Sequence, residues 1–135
     1  MLFLAPFLGW LCSGILKYIL NFVKYGAKAR SMVGNGGFPS THTTVAVSTT
    51  AAIGFSSGID SGLFALGVAF SFIIIIDATG IRKALGEHAK NLNHINSSSN
   101  VVFKTHRESQ GHTRTEVLGG VGLGVIVGYM TSLFL

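Results

Sequence analysis

An all-α, multi-pass membrane bundle is the fold class this sequence predicts, with about four membrane helices and one further helix lying along the interface. Three observations predict it. Hydrophobic residues make up 48% of the 135 positions and charged residues 11%, with a mean hydropathy of +0.54. A soluble domain carries about 25% charge, and a surface this poor in charge calls for lipid as its solvent. Apolar segments alternate with polar ones along the chain. The 18 glycines, several at four-residue spacing, suit helices whose backbones approach closely in a bilayer. One domain, residues 1–135, accounts for the whole length.

The first apolar segment, residues 2–23, is long enough to cross the ~30 Å hydrocarbon core. It has no basic leader and runs beyond the usual length of a signal sequence. Despite Ala27-Lys28-Ala29 it is therefore expected to remain as a membrane helix. Cys12, the single cysteine, reads as a small hydrophobe within it. The second and third segments, 43–59 and 63–76, are short or rich in Thr and Ser, so both are expected inside the bundle. The tight link "SSGIDSG", residues 56–62, makes them an antiparallel hairpin. The fourth segment, 117–135, again qualifies by length. Gly54, Gly58 and Gly62, and likewise Gly120, Gly124 and Gly128, recur every fourth residue. They serve either packing within one bundle or a homo-oligomer interface. After Gly80 a helix is expected, with Ile81, Leu85, Ala89 and Leu92 on one stripe, ending at the "NSSSN" break of residues 96–100.

Four spans place all ten Lys and Arg residues at one membrane face, with Lys17 inside the first span but near that end. By the positive-inside rule this face is cytoplasmic, or its organelle equivalent, and both termini point outward. The opposite face carries little charge beyond Asp60. The net charge of +5 fits basic loops better than nucleic-acid binding, for which no module is visible.

The polar groups gathered at the basic face are the candidates for chemistry, because ionisable residues in or near spans are costly to hold there. His112 and Glu116 are four apart and share one helix face, so the carboxylate can orient the imidazole. The plainer reading is a helix-start pair satisfied by water. "FPSTHT", residues 38–43, places a proline in a first helical turn with Ser40 and Thr41 as amide caps. That helix start can seat an anion beneath His42, or be simple capping with a surface histidine. Lys17, Asn21, Lys24 and Lys28 form one polar stripe if the first helix continues past the membrane. The stripe either adds cations to an anion site or contacts lipid headgroups. Two histidines with cationic neighbours suggest phosphate-ester chemistry: one attacks phosphorus and the other protonates the departing oxygen. His88, His94, His106 and His112 share a loop region, but their spacing fits no common zinc pattern.

These runs resemble the divergent branch of the type-2 phosphatidic acid phosphatases, a family related to vanadium-dependent haloperoxidases. "PSTH", residues 39–42, resembles the family's P-S-G-H. "GHTRTEV", residues 111–117, resembles the end of its third motif. Gly36-Gly37 and "DATGIR", residues 77–82, resemble further runs of the divergent branch. The resemblance spans nearly the whole chain and implies a membrane-embedded lipid-phosphate phosphatase. It implies His112 as the nucleophile forming a phosphohistidine, Glu116 as its orienter and His42 as the general acid. Ser40, Thr41, Arg82 and a first-helix lysine, Lys17 or Lys24, would bind phosphate. No metal or other cofactor is implied. Thr41 stands where the pattern has Gly, Glu116 where it has Asp, and Arg82 must supply an arginine from 30 residues upstream of His112. Asp77 has no part in the implied mechanism and is expected to support the site by pairing with Arg82 or a lysine. The expected partners are membrane lipids and a lipid-phosphate or prenyl-phosphate substrate. A non-catalytic membrane protein that binds lipid headgroups or anions on an inherited site is the rival expectation.

Overall fold

The computed structural model describes residues 1–32, 37–98 and 104–134. Gly36 and the far end of the 96–100 break lie outside the described residues. The main elements are α1 (Ala5–Tyr25), α2 (Thr41–Ser57), α3 (Gly62–Thr79), α4 (Ile81–Ser97) and α5 (Arg114–Ser132), with 3-10 turns at Leu2–Leu4 and Gly26–Met32. The chain is an all-α bundle, as its sequence predicts. Among the described residues, three helical stretches are long and apolar enough to cross a membrane: Leu2–Arg30, Gly62–Ser97 and Arg114–Ser132. The second segment differs. At 17 residues and 1.5 Å per residue, α2 reaches only about 25 Å, short of the ~30 Å core.

α2 is the centre of the bundle. It packs on α1, α3 and most extensively α5, while α1 and α3 do not meet among the described residues. Its inward side is polar: Thr43, Thr44, Ser48 and Thr50 are buried with Ala46 and Ala52. A hydroxyl in hydrocarbon needs a partner, and each of these has one. Thr44 Oγ1 donates to the Ser40 carbonyl at 2.9 Å, and Ser48 Oγ donates to the Ala5 carbonyl of α1 at 3.0 Å. Thr50 Oγ1 shares a hydrogen bond of 2.9 Å with Ser71 Oγ of α3. Among the described residues no buried side-chain nitrogen or oxygen lacks a partner.

α5 packs on α2 because Gly120, Gly124 and Gly128 leave no side chain between the two backbones. A Cβ on Gly128 would stand 2.6 Å from Ala51 Cβ and 2.7 Å from the Ser48 carbonyl oxygen. A Cβ on Gly124 would meet Val47 Cβ at 2.8 Å. This stripe is therefore used within the chain. Gly58, at φ +86°, ends α2 in a conformation that favours glycine, and Ser61 caps α3 by accepting from the Phe64 amide at 3.2 Å.

One expectation needs correcting. The third segment is not inside the bundle: in α3 only Ser71 and Ala78 are buried, and Leu66, Phe70, Phe72 and Ile73 are exposed. The reason is that lipid tails are as apolar as leucine, so an aliphatic helix gains little by leaving them. On α4 the expected stripe forms on one helix face. Ile81, Leu85 and Leu92 are exposed, whereas Ala89 is buried with Gly86. Gly86 admits the returning loop: a Cβ there would meet the Glu108 carbonyl oxygen at 2.5 Å.

Candidate active site

Backbone hydrogen bonds draw the three motif runs to one end of the bundle. The Ser40 amide donates to the Glu116 carbonyl at 2.9 Å, tying the start of α2 to the first turn of α5. The His112 amide donates to the Ala78 carbonyl at 3.0 Å, tying the start of α5 to the end of α3. The loop between α4 and α5 is held by Asn93. Its Nδ2 donates to the His106 carbonyl and to Glu108 Oε1, and its Oδ1 accepts from the His106 amide, all at 2.8 Å. This clamp sets Arg107 over the same end of the bundle.

A cavity of about 890 Å³ opens there between α1, α2, the end of α3 and this loop. Its polar end is lined by Lys17, Asn21, Thr41, His42, Arg82, Arg107, Gln110 and His112. Its other wall is apolar and includes Trp10, Ile15, Val45, Phe70 and Ile74. Lys17 Nζ donates to Thr41 Oγ1 at 3.3 Å, and Ser13 Oγ donates to the same oxygen at 2.8 Å. Arg82 reaches two groups: its Nε donates to Asp77 Oδ2, and its NH1 lies 3.3 Å from His42 Nε2.

The hydrogen bonds assign the imidazole nitrogens. A guanidinium has only donors, so His42 Nε2 accepts from Arg82 and carries its lone pair in this arrangement. His112 is 9% exposed, and its Nδ1 lies 3.1 Å from Glu116 Oε2. With a carboxylate as acceptor, Nδ1 holds the proton and Nε2 is left as the basic nitrogen. Glu116 is itself fixed by a capping box. Its Oε2 also accepts from the Thr113 amide at 2.9 Å, while Thr113 Oγ1 accepts from the Glu116 amide at 3.3 Å. The same carboxylate thus caps α5 and orients His112.

Of the residues expected from the sequence, Lys17, Thr41, His42, Arg82 and His112 line the cavity, with Glu116 and Asp77 bonded to two of them. Lys24 and Ser40 do not line it. α1 runs antiparallel to α2, with Ala5 level with Ser48 and Lys17 level with Thr41. Seven residues further on, Lys24 lies about 10 Å beyond that level, where its Nζ sits 5.2 Å from the Tyr25 ring centroid. Ser40 is fully buried beneath α5, and its Oγ accepts from Thr43 Oγ1 at 2.9 Å. It takes the N-cap position without a side-chain bond to an amide, Pro39 precedes it rather than opening the helix, and the Thr41 hydroxyl is held by Ser13 and Lys17. The expected amide capping by Ser40 and Thr41 therefore does not occur, because neighbouring hydroxyls and the lysine claim their oxygens.

Sequence reasoning misses Arg107 and Gln110 as lining residues, and Asn93 as their anchor. Nothing in the periodicity of an exposed loop marks them. The sequence reading also leaves unused the Thr-x-x-Glu signal at 113–116, which marks the capping box. Among the described residues no three His, Cys, Asp or Glu side chains come together as the ligands of a metal ion.

Residues 1–127 match the model of the divergent PAP2 family. Among curated proteins, the chain is similar to the uncharacterized membrane protein YuiD of Bacillus subtilis (strain 168). The two are 28% identical over 130 residues, covering 90% of this chain and 82% of that protein. No solved structure matches.

Proposed function

From the premise that the chain belongs to the divergent PAP2 family, we propose that it is a membrane lipid-phosphate phosphatase working through a phosphohistidine. The observation that carries the proposal is the His112–Glu116 pair opening on the cavity that also holds His42, Lys17 and Arg82. The phosphate of a lipid monophosphate or diphosphate lies between Lys17, Arg82 and the start of α2, whose amides add the positive end of a helix dipole. The anion draws Arg82 from His42 Nε2, which then takes up a proton. His112 Nε2 attacks phosphorus, the bond from phosphorus to the leaving oxygen breaks, and that oxygen takes the His42 proton. Water then attacks the phosphohistidine, the N–P bond breaks with its electron pair returning to His112, and the proton of the water passes to His42. Cations aimed at the equatorial oxygens stabilise the transition state in place of a metal. The basic end of the bundle faces the cytoplasm under the positive-inside rule.

The rival reading, a headgroup-binding protein without turnover, draws support from Arg82 being engaged by Asp77 and Thr41 Oγ1 by Lys17. One experiment separates them. Purified protein with EDTA is assayed for phosphate release from phosphatidate and from a prenyl diphosphate, with His112→Ala and His42→Ala in parallel. The phosphatase reading expects turnover that falls by about 10²- to 10⁴-fold in each variant. Turnover unchanged in His112→Ala overturns the mechanism, and headgroup binding without turnover in the parent protein favours the rival.

A further inference from the structure

The cavity does not end at its polar groups. α1 and α3 both pack on α2 but not on each other, which leaves a lateral groove floored by Val45 and Ala46 of α2. Trp10 and Ile15 stand on one side, and Phe70 and Ile74 on the other. Trp10 is 63% exposed and Phe70 58%, so the groove opens toward the lipid. Gly14 lines it one helical turn from Lys17 on the same face of α1. A Cβ built at Gly14 would meet nothing within 4 Å. Glycine weakens a helix interior relative to alanine, and helix packing does not call for one here, unlike at Gly124 or Gly128. What its missing side chain leaves open is the stretch of groove next to the phosphate end.

We infer that the groove between α1 and α3 holds a hydrocarbon tail of the phosphorylated lipid, and that Gly14 sets its width where the tail leaves the phosphate. The inference rests on the phosphatase reading of the polar end, and the charge layout argues for this occupant. Among the described lining residues, cations stand only at the end where a lipid's phosphate would sit, and the rest of the groove is apolar, so an amphiphile with one anionic end fits in a single direction. A side chain at position 14 would narrow the groove from the α1 side, while Arg82 and both histidines stand outside α1.

Trp10 is the single tryptophan of the chain and reports on the groove directly. The experiment uses full-length His112→Ala protein in nanodiscs of unbrominated phosphatidylcholine, so that the probe is not consumed. A small fraction of phosphatidate with brominated chains is compared with diacylglycerol bearing the same brominated chains. Phosphatidate is expected to quench Trp10 more strongly than the uncharged lipid. Gly14→Leu is expected to remove that difference, while Gly14→Ala and Gly122→Leu keep it; Gly122 also has open space around it, on α5. In the otherwise unmodified protein, Gly14→Leu is expected to raise KM for long-chain phosphatidate by about tenfold or more. A water-soluble dibutyryl homologue should be hydrolysed as before. Equal quenching by the two lipids, or a difference that survives Gly14→Leu, overturns the groove assignment. An altered oligomeric state in Gly14→Leu with quenching unchanged assigns the groove to a second copy and also overturns it. The quenching needs no turnover, so its failure is distinguishable from failure of the phosphatase reading.

Discussion

α2 and α3 are neighbours of nearly equal length joined by a tight turn, yet lipid treats them in opposite ways. α2 carries threonines and serines and is buried on three sides; α3 carries isoleucines and phenylalanines and faces outward. In water the order would be reversed, because apolar area drives burial there. In a bilayer the aliphatic helix is already dissolved, and it is the hydroxyls that must find partners inside the protein. The polar helix therefore becomes the hub, and its first turn, where polarity is greatest, becomes the floor of the cavity.

The strongest way to break this comparison is to push α5 off the hub. Gly128→Leu would set a branched side chain against Ala51 and the backbone carbonyl of Ser48, within 3 Å at its Cβ alone. Backbone cannot rotate aside as a side chain can, so the expected cost is about 3 kcal/mol or more. The variant should run as an aggregated or expanded species on size exclusion in detergent. Gly122→Leu, on the open side of the same helix, should elute like the parent protein. If both behave alike, the close α2–α5 contact is not what holds the bundle.

A smaller effect sharpens what the hub does for the site. Lys17 reaches the first turn of α2 through Thr41, whereas Lys24 lies outside the cavity over Tyr25. Lys17→Ala is expected to lower kcat/KM on a lipid phosphate by about 10²-fold, as loss of one transition-state cation does. Lys24→Ala is expected to change it by less than about threefold, the range of an exposed charge. Equal losses in the two variants would mean that α1 slides along α2 when substrate binds.

Much of this arrangement is legible in the sequence, and the part that is not has a physical cause. His42 is identifiable from the helix start that it opens, His112 and Glu116 from their four-residue spacing on one helix face, and Arg82 from the run DATGIR that resembles the divergent branch. That Lys17 rather than Lys24 lines the cavity is not legible, because it depends on how far α1 is offset along α2, and the Ser48–Ala5 bond that records the offset joins groups distant in sequence. Arg107 is hidden for a similar reason. It is placed by an asparagine on another element, and one Asn among the several polar residues of α4 carries no pattern. The misplacement of α3 came from treating a short membrane segment as a buried one; length bounds whether a helix can span, while side-chain polarity decides which side it shows to lipid.

The finest test compares single side chains on the two helices. Thr50→Val preserves shape and removes the hydroxyl that bonds Ser71 across the α2–α3 contact, with both residues 8% exposed. The expected loss is about 0.6–1.7 kcal/mol, the range for hydrogen bonds between membrane helices. The double variant with Ser71→Ala should lose less than the sum of the two single changes, because no hydroxyl is then left without its cross-helix partner. Phe72→Leu alters an α3 side chain that is 63% exposed, and its expected effect is within about 0.5 kcal/mol. Reversible unfolding in mixed micelles on titration with SDS measures all four variants against the parent protein on one scale. Should Phe72→Leu prove the costlier change, the outer face of α3 must pack against protein rather than lipid. A second copy of the chain would then be covering the helix that the monomer leaves to the bilayer.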